Sequence, residues 1–379
     1  MVGSIATSWP SLGNLERTTL VELLVDGPQS RAEIARKLGL SRASLTRVAR
    51  SLINQGFVTE GALELRGATG RPSEMLQVDP SARRFLGVKL TDDTLYAVVT
   101  DLAGTIQASH SERLVSTSVE DTVDQLAAVR QRLAPEGGEI AAAGISLAGD
   151  VTRIDGRQVV INSPFLGWRD VLLADLLTER LGVPVATEND VRSLTAAEHW
   201  FGVGAGVDSM VLITVGVGIG VGIVIDGSVI GGTHGTAGQL DHLIIDPNGP
   251  RCEQHRGCVS SFLTNFGLVA ALRSPGIGYP EAVRLAHAGD PAARQAFYDA
   301  GHALGVLVAT LANTLDPEKI VITGDGIAVT ELADKAIEES IALHRRPPDG
   351  PVALDIQPFE FSQWARGGAV LAIRHCLDF

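Results

Sequence analysis

Between Arg31 and Gln55 the apolar positions fall in two short runs at helical spacing. Ile34, Ala35 and Leu38 form the first, and Leu45, Val48, Ala49 and Leu52 the second. Gly39, between them, suits a tight turn that needs a permissive backbone. Ser30 with Glu33 makes a capping box for the first run, and Ser41 an N-cap for the second. The spacing therefore predicts a helix-turn-helix. Upstream, Leu15–Val25 reads as an amphipathic helix closed by Gly27-Pro28. Downstream, Gly56 stops the second helix. Phe57–Leu65 and Met75–Val78 then read as strands flanking the turn sequence GATGRP, Gly67–Pro72. A three-helix head with a two-stranded wing is the geometry of a winged helix.

Asp79-Pro80 marks a boundary, after which the pattern changes to that of an α/β body. Strands are expected at Phe85–Leu90, Leu95–Thr100 and from Thr105, with a helix over Val119–Leu133 and a strand at Ile140–Ser146. A helix at Leu172–Leu181, a strand at Val183–Thr187 and a helix at Ser193–Gly202 follow. Ser209–Ile225 is uncharged and about as long as a membrane span, but its glycines fit a buried strand–loop–strand better. Asp226-Gly227 turns it into Ser228–Ile230. A long helix at Pro291–Leu315, a strand at Lys319–Thr323, a helix at Ala328–Leu343, a strand at Val352–Gln357 and a helix at Arg366–Leu377 complete the chain. The body reads as two strand-rich α/β halves.

The net charge of −13 argues against general nucleic-acid affinity, but the charge is uneven. Residues 1–80 carry nine Lys+Arg against eight Asp+Glu, which leaves a net −14 on the remainder. Three cysteines make no disulfide framework, and the N-terminus lacks the pattern of a signal peptide. A soluble cytoplasmic protein is expected.

Within the helix-turn-helix, Arg31, Arg36, Lys37, Arg42, Arg47 and Arg50 face a single acid, Glu33. The second helix leaves Arg42, Ser44, Thr46, Arg47 and Arg50 on its polar side. Arginine forks onto guanine edges or phosphates, and short hydroxyls add hydrogen bonds, so these residues are the expected contacts to operator DNA in the major groove. Arg71, in the wing, is placed to enter a narrow minor groove; the other reading of that segment is a plain turn.

Val215–Gly222, VGVGIGVG, lets successive backbone N–H groups approach a phosphate, but no Lys-Ser/Thr follows to make it a P-loop. The segment Gly231–Cys258, GGTHGTAGQLDHLIIDPNGPRCEQHRGC, resembles the signature of the ROK family of sugar-responsive repressors and sugar kinases. NSPFLGW (Asn162–Trp168), ENDVRSLTAAEHWFG (Glu188–Gly202) and ANTLDPEKIVITGDG (Ala312–Gly326) extend the resemblance in family order. It implies a two-lobed actin-like ATPase fold behind the head. The expected domains are a winged helix-turn-helix over 1–80 and a ROK body over 81–379. Lobe one would span about 81–200 with the C-terminal helix 366–379, and lobe two about 201–365.

The departures from the family pattern bear on function. Where ROK kinases carry Asp-x-Gly-Gly-Thr for ATP phosphates, this chain reads Lys89-Leu90-Thr91-Asp92-Asp93. Two carboxylates there repel ATP and the permissive glycines are gone. Asp190 matches the family's catalytic base, but a base without a phosphoryl donor makes no kinase. The resemblance implies sugar contacts at Asn189, Asp190, Gln239, His242 and Ser260. Gln239 and Ser260 stand where the family has glutamates, so a different or weaker ligand, or a relic cleft, is implied. The family's zinc loop is one residue short here and lacks its middle cysteine. His255 can take that place to give His242, Cys252, His255 and Cys258 as a tetrahedral set; the alternative is a metal-free loop. The expectation is a transcriptional repressor without ATP or enzymatic activity, acting as a homodimer or dimer of dimers on half-sites, with a sugar effector. The alternatives are a bifunctional sugar kinase and a constitutive DNA-binding protein.

Overall fold

The computed structural model describes residues 9–64, 73–134, 139–346 and 352–379. The turn Gly67–Pro72, with Arg71, lies outside the described residues. The chain forms two compact units, one comprising Met1–Gly206 with Phe361–Phe379 and the other Val207–Glu360.

The first unit opens with α1 (Asn14–Val25), β1 (Gln29–Ser30), α2 (Arg31–Lys37), α3 (Arg42–Asn54), β2 (Val58–Glu64) and β3 (Ser73–Val78). The strands form an antiparallel sheet in the order β1-β3-β2. Both caps form as the sequence requires. Ser30 Oγ accepts from the Glu33 N–H at 3.3 Å while Glu33 accepts from the Ser30 N–H at 3.0 Å, and Ser41 Oγ accepts from Ser44 at 3.1 Å. Leu45, Val48, Ala49 and Leu52 are the buried stripe of α3. Gly39 turns the chain at φ +64°.

The unit continues with β4 (Arg84–Leu90), β5 (Thr94–Asp101), β6 (Ile106–Arg113), α4 (Val119–Leu133), β7 (Ala142–Leu147), β8 (Asp150–Ile154), β9 (Arg157–Ser163), β10 (Trp168–Val171), α5 (Leu173–Leu181), β11 (Val185–Asn189) and α6 (Asp190–Phe201). Its main sheet runs β11-β7-β4-β5-β6. Leu86, Val88 and Leu90 of β4 belong to one core with Leu126 and Leu177 of α4 and α5. The opposite face, carrying Phe85, lies against Ala365, Ala369 and Ile373 of the C-terminal helix.

The second unit holds β12 (Met210–Val215), β13 (Ile219–Ile225), β14 (Ser228–Val229), α7 (Val259–Leu263), α8 (Asn265–Ala271), α9 (Tyr279–His287), α10 (Pro291–Leu315), β15 (Lys319–Thr323), α11 (Val329–Leu332), α12 (Asp334–His344) and β16 (Leu354–Ile356). Its sheet runs β14-β13-β12-β15-β16. Each large sheet is thus a three-stranded antiparallel meander extended by two parallel strands. This repeated topology is the duplicated α/β plan expected of an actin-like fold. The last helix, α13 (Phe361–Cys376), returns to the first unit.

Helix α13 sits very close to its sheet. A Cβ on Gly144 would lie 1.9 Å from the Gly368 carbonyl oxygen, and one on Gly87 would lie 2.2 Å from that of Ala365. Glycine on both surfaces is what permits this approach. The head joins the same core. Trp9 packs on Phe57 of the head and Phe85 of β4, with ring centroids 5.1 and 5.9 Å away.

Several elements differ from the sequence pattern. The sheet β8–β10 was not expected, because its short strands mix polar and apolar residues. Helix α6 starts at Asp190 rather than Ser193 because the Asn189 side chain caps it. The helix expected over Ala328–Leu343 is broken at Ala333, where φ is −134°. Helix α13 begins at Phe361, whose ring stacks on Tyr96 at 4.2 Å. Ser209–Ile225 is the strand–loop–strand β12–β13, and among the described residues no helix is long and apolar enough to cross a membrane.

Candidate DNA-reading head, ligand residues and metal centre

Of the six basic residues in the helix-turn-helix, two serve the fold. Arg31 pairs with Glu60 and with Glu74, and Lys37 pairs with Glu22 and Asp26. Arg36, Arg42, Arg47 and Arg50 are exposed and carry no ion pair among the described residues. At about 100° per residue, Arg42, Thr46, Arg50 and Arg47 span an arc of about 140° opposite the buried stripe. Ser44 and Thr46 are half-buried. The Ser44 hydroxyl lies 2.9 Å from Ser41 Oγ, and Thr46 donates to the Arg42 carbonyl at 2.7 Å. Their hydroxyls are thus partly spent inside the helix, and the cationic reach of α3 belongs to its arginines.

Lys89 has a partner that sequence reasoning did not supply. It shares the face of β4 with Phe85 and Gly87, toward α13. Its ammonium pairs with Asp190, 101 residues away, and lies 5.2 Å from the centre of the Trp364 ring. The two paired side chains are 6% and 9% exposed, so the pair is sequestered from water. The other Asp190 oxygen, Oδ1, accepts from the Val191 N–H at 2.9 Å. Asn189 is equally committed. Its Oδ1 accepts from Val191 and Arg192 at 3.0 and 3.2 Å, and its Nδ2 donates to the Gly149 carbonyl at 3.0 Å.

The segment that replaces the kinase phosphate loop is a tight hairpin between β4 and β5. Thr91 and Thr94 close it through N–H···O bonds of 2.9 and 3.0 Å. The Thr94 hydroxyl, then the Arg113 guanidinium 2.7 Å away, hold the Asp93 carboxyl below the usual carboxylate range. In the second unit the glycine loop between β12 and β13 also meets a carboxylate. A Cβ on Gly216 would lie 1.7 Å from Asp325 Oδ1, while Asn265 donates to Asp325 Oδ2 at 2.8 Å. Asp325 fills the space beside Gly216, a role the sequence pattern of a turn does not reveal. Burial first, then Asp325, raise the pKa of the Tyr279 hydroxyl, which donates to the Gly326 carbonyl at 2.8 Å.

The donor atoms of His242, Cys252 and Cys258 lie within 4.8 Å of one another. Cys252 Sγ is 3.7 Å from His242 Nδ1, and the His255 backbone N–H donates to that sulfur at 3.1 Å. His242 Nε2 lies 3.3 Å from an Asp241 carboxylate oxygen. A carboxylate behind a histidine fixes the ring so that the other nitrogen faces a metal. Burial opposes ionisation at Cys252, yet the N–H groups of His255 and Gln254 bring its pKa down; burial pushes the Cys258 thiol up. The His255 ring lies 4.6 Å from that of His242, but His255 is outside the convergent trio. Its Nδ1 is buried without a hydrogen-bond partner among the described residues. Gln239 is exposed and Ser260 half-buried in this same unit, while Asn189 and Asp190 belong to the first.

Comparison with known proteins fits this architecture. The MarR family profile matches residues 15–60, the three head helices and the start of β2. The xylose repressor of Bacillus spizizenii is 26% identical over 374 residues, covering 96% of each chain. The DNA-binding transcriptional dual regulator NagC of Escherichia coli is 28% identical over 356 residues, 87% of this chain and 86% of its own. Among solved structures, a ROK family transcriptional regulator described as a homologue of the E. coli MLC protein aligns with a TM-score of 0.81 at 27% identity. It covers 96% of this chain and 97% of its own. A ROK glucokinase from Streptomyces griseus, solved with glucose and AMPPNP, aligns at a TM-score of 0.64 and 27% identity, covering 76% of this chain and 99% of its own. The kinase thus covers about three-quarters of this chain, whereas the regulator covers nearly all of it. With the ROK profile matching residues 85–374, from β4 into the last helix, the chain belongs to the ROK family.

Proposed function

We propose that this chain is a DNA-binding transcriptional repressor whose ROK body senses a sugar-class effector and performs no phosphoryl transfer. The head spans 1–80 and the effector body 81–379. The observation that carries the reading is the sorting of charge on the head. Arg31 and Lys37 brace it internally, while Arg36, Arg42, Arg47 and Arg50 are left for a polyanion on a chain of net charge −13. Arg42, Arg47 and Arg50 read the major groove with Ser44 and Thr46 in support, and Arg71 makes the wing contact. Two half-sites require two heads, so the acting species is a homodimer or dimer of dimers.

The absence of kinase chemistry rests on the Lys89–Asp190 pair. A general base must reach the proton it abstracts. Here one Asp190 oxygen is held by an ammonium and the other by a backbone N–H. Asp93 adds a carboxylate in the hairpin that replaces the phosphate loop, and Asp325 fills the space beside Gly216 of the glycine loop.

By family position the effector contacts are Asn189, Asp190, Gln239, His242 and Ser260; Asn189 also caps the start of α6. Helix α6 then runs from Asn189 and Asp190 to Trp200, which packs against Phe379 with centroids 6.2 Å apart. Asp378, beside it, pairs with Arg17 of α1 in the head. A ligand that engages Asp190 differently in two states can bias the head through this helix.

The His242–Cys252–Cys258 trio fits a structural zinc, with a soft nitrogen–sulfur donor set and a carboxylate behind the histidine. His255 completes the set after a side-chain adjustment. Zinc would tie the loop Asp241–Cys258 together.

The test is selection and sequencing of genomic fragments bound by the purified chain at a stated salt concentration. A shared, roughly palindromic site is expected. Arg47→Ala should weaken binding to it and, if Arg47 meets phosphate, reduce the salt slope by about 1. No enrichment with folded protein would overturn the repressor reading. ATP-dependent phosphorylation of a hexose above background would overturn the non-enzyme reading.

A further inference from the structure

We propose that the first unit carries a second small-molecule site, for a compact dianion such as a phosphate monoester, in the cavity between the β8–β9 hairpin, α5 and the last turn of α13. The cavity measures about 280 Å³, and its polar lining is Arg153, Arg157, Gln158, Asp175, Thr178 and His375. Neither Asn189 nor Asp190 lines it.

Two of the polar residues are already satisfied. The Gln158 amide donates to the Thr187 carbonyl at 3.0 Å and accepts from its N–H at 3.1 Å. The Thr178 hydroxyl donates to the Ala174 carbonyl at 2.7 Å and accepts from the Val185 N–H at 3.2 Å. Arg157 shares its guanidinium with Asp175, its Nε 2.6 Å from the carboxylate. The Arg153 guanidinium, on an exposed position of β8, has neither an ion pair nor a hydrogen bond among the described residues. The groups left over are therefore one uncommitted guanidinium, one guanidinium held by a single carboxylate, and the His375 imidazole.

Charge points the same way. Two arginines against one aspartate leave the lining at +1 on a chain of net charge −13. His375 is half-buried on α13. Burial first, then the facing Arg153, lower its pKa from 6.5, with Asp378 opposing them. Entry of an anion offsets the Arg153 repulsion and lets the imidazole take a proton, giving a third charged donor. Guanidinium forks pair readily with phosphoryl or carboxylate oxygens. The volume lies at the lower end for small-molecule sites, which sets the size to an anionic group with a few carbons. The site rests on its own lining residues and not on the DNA-reading function.

The test is isothermal titration of the full chain at low salt with inorganic phosphate and, separately, succinate. Each is measured in buffers of different ionisation enthalpy. One site per chain with proton uptake is expected. Preference for phosphate identifies a phosphate monoester, and preference for succinate a dicarboxylate, as the source of the dianion. Arg153→Gln should weaken binding at least tenfold. His375→Gln should weaken it severalfold and abolish proton uptake. Arg169→Gln, at an exposed position outside the cavity, should leave it unchanged. Circular dichroism checks that each variant is folded. No binding of either anion at millimolar concentration, or binding that Arg153→Gln leaves intact, overturns the proposal.

Discussion

Removing the ammonium of Lys89 should cost more stability than any single change at the surface of the chain. Lys89→Met keeps the length and most of the volume of the side chain but leaves Asp190 with only the 2.9 Å bond from Val191. Both partners are under one-tenth exposed, so water does not take over the lost contact. Breaking a buried pair from one side costs about 3–5 kcal/mol. Asp190→Asn should cost somewhat less, about 2–4 kcal/mol, because Lys89 retains the Trp364 ring at 5.2 Å. The double variant removes both charges together and should return to within about 1–2 kcal/mol of the parent. The resulting coupling is at least about 3 kcal/mol. All four tryptophans, at positions 9, 168, 200 and 364, belong to the first unit, so denaturant unfolding followed by tryptophan fluorescence reports on that unit. Near-additivity of the two single changes, or a cost below about 1 kcal/mol for Lys89→Met, would refute the argument that this pair is sequestered.

Three further outcomes follow from other parts of the molecule. Gly144→Ala places a methyl 1.9 Å from the Gly368 carbonyl, so α13 must shift; a loss of about 1–3 kcal/mol or more is expected, with Gly156→Ala affecting only backbone strain as a comparison in the same unfolding assay. Chelation of zinc-loaded protein should lower the melting temperature, and Cys258→Ser should abolish that dependence; elemental analysis showing far less than one zinc per chain would sink the assignment. Burial disfavours the Glu112 carboxylate, but His110, Gln125 and Arg132 more than offset it and bring its pKa from 4.5 to about 2. A depressed carboxyl stabilises above its unfolded value, so this contribution is present above about 4.5 and lost as pH falls toward about 2. Comparing the parent with Glu112→Gln between pH 3 and 6 checks it: the gap between them should close as the pH falls.

The head was the most legible part of the sequence. Ser30, Glu33, Ser41 and Gly39 act within three or four residues of their own backbone, so spacing alone specifies the caps and the turn. The stripe of Leu45, Val48, Ala49 and Leu52 is likewise a local period. The body was legible where strands were long and apolar, and less so at β8–β10 and α11–α12, where short elements give too few positions to establish a period. Departures at the family's functional positions could be seen as changes of residue type, but not what those residues do instead.

The sequence by itself determined the winged head, the duplicated α/β body, the uneven charge and the loss of a glycine phosphate loop near Lys89. Only the tertiary structure decided which charges are free. It gave Arg31 and Lys37 to carboxylates, left four arginines unpaired by any described residue, and brought Lys89 to Asp190 from 101 residues away. It also set Asp325 against Gly216 and gathered His242, Cys252 and Cys258 while leaving His255 beside them. The reason is physical. A period or a cap is written in neighbouring residues, whereas the worth of a charge depends on its desolvation and its partner, and both are supplied by elements remote in the chain.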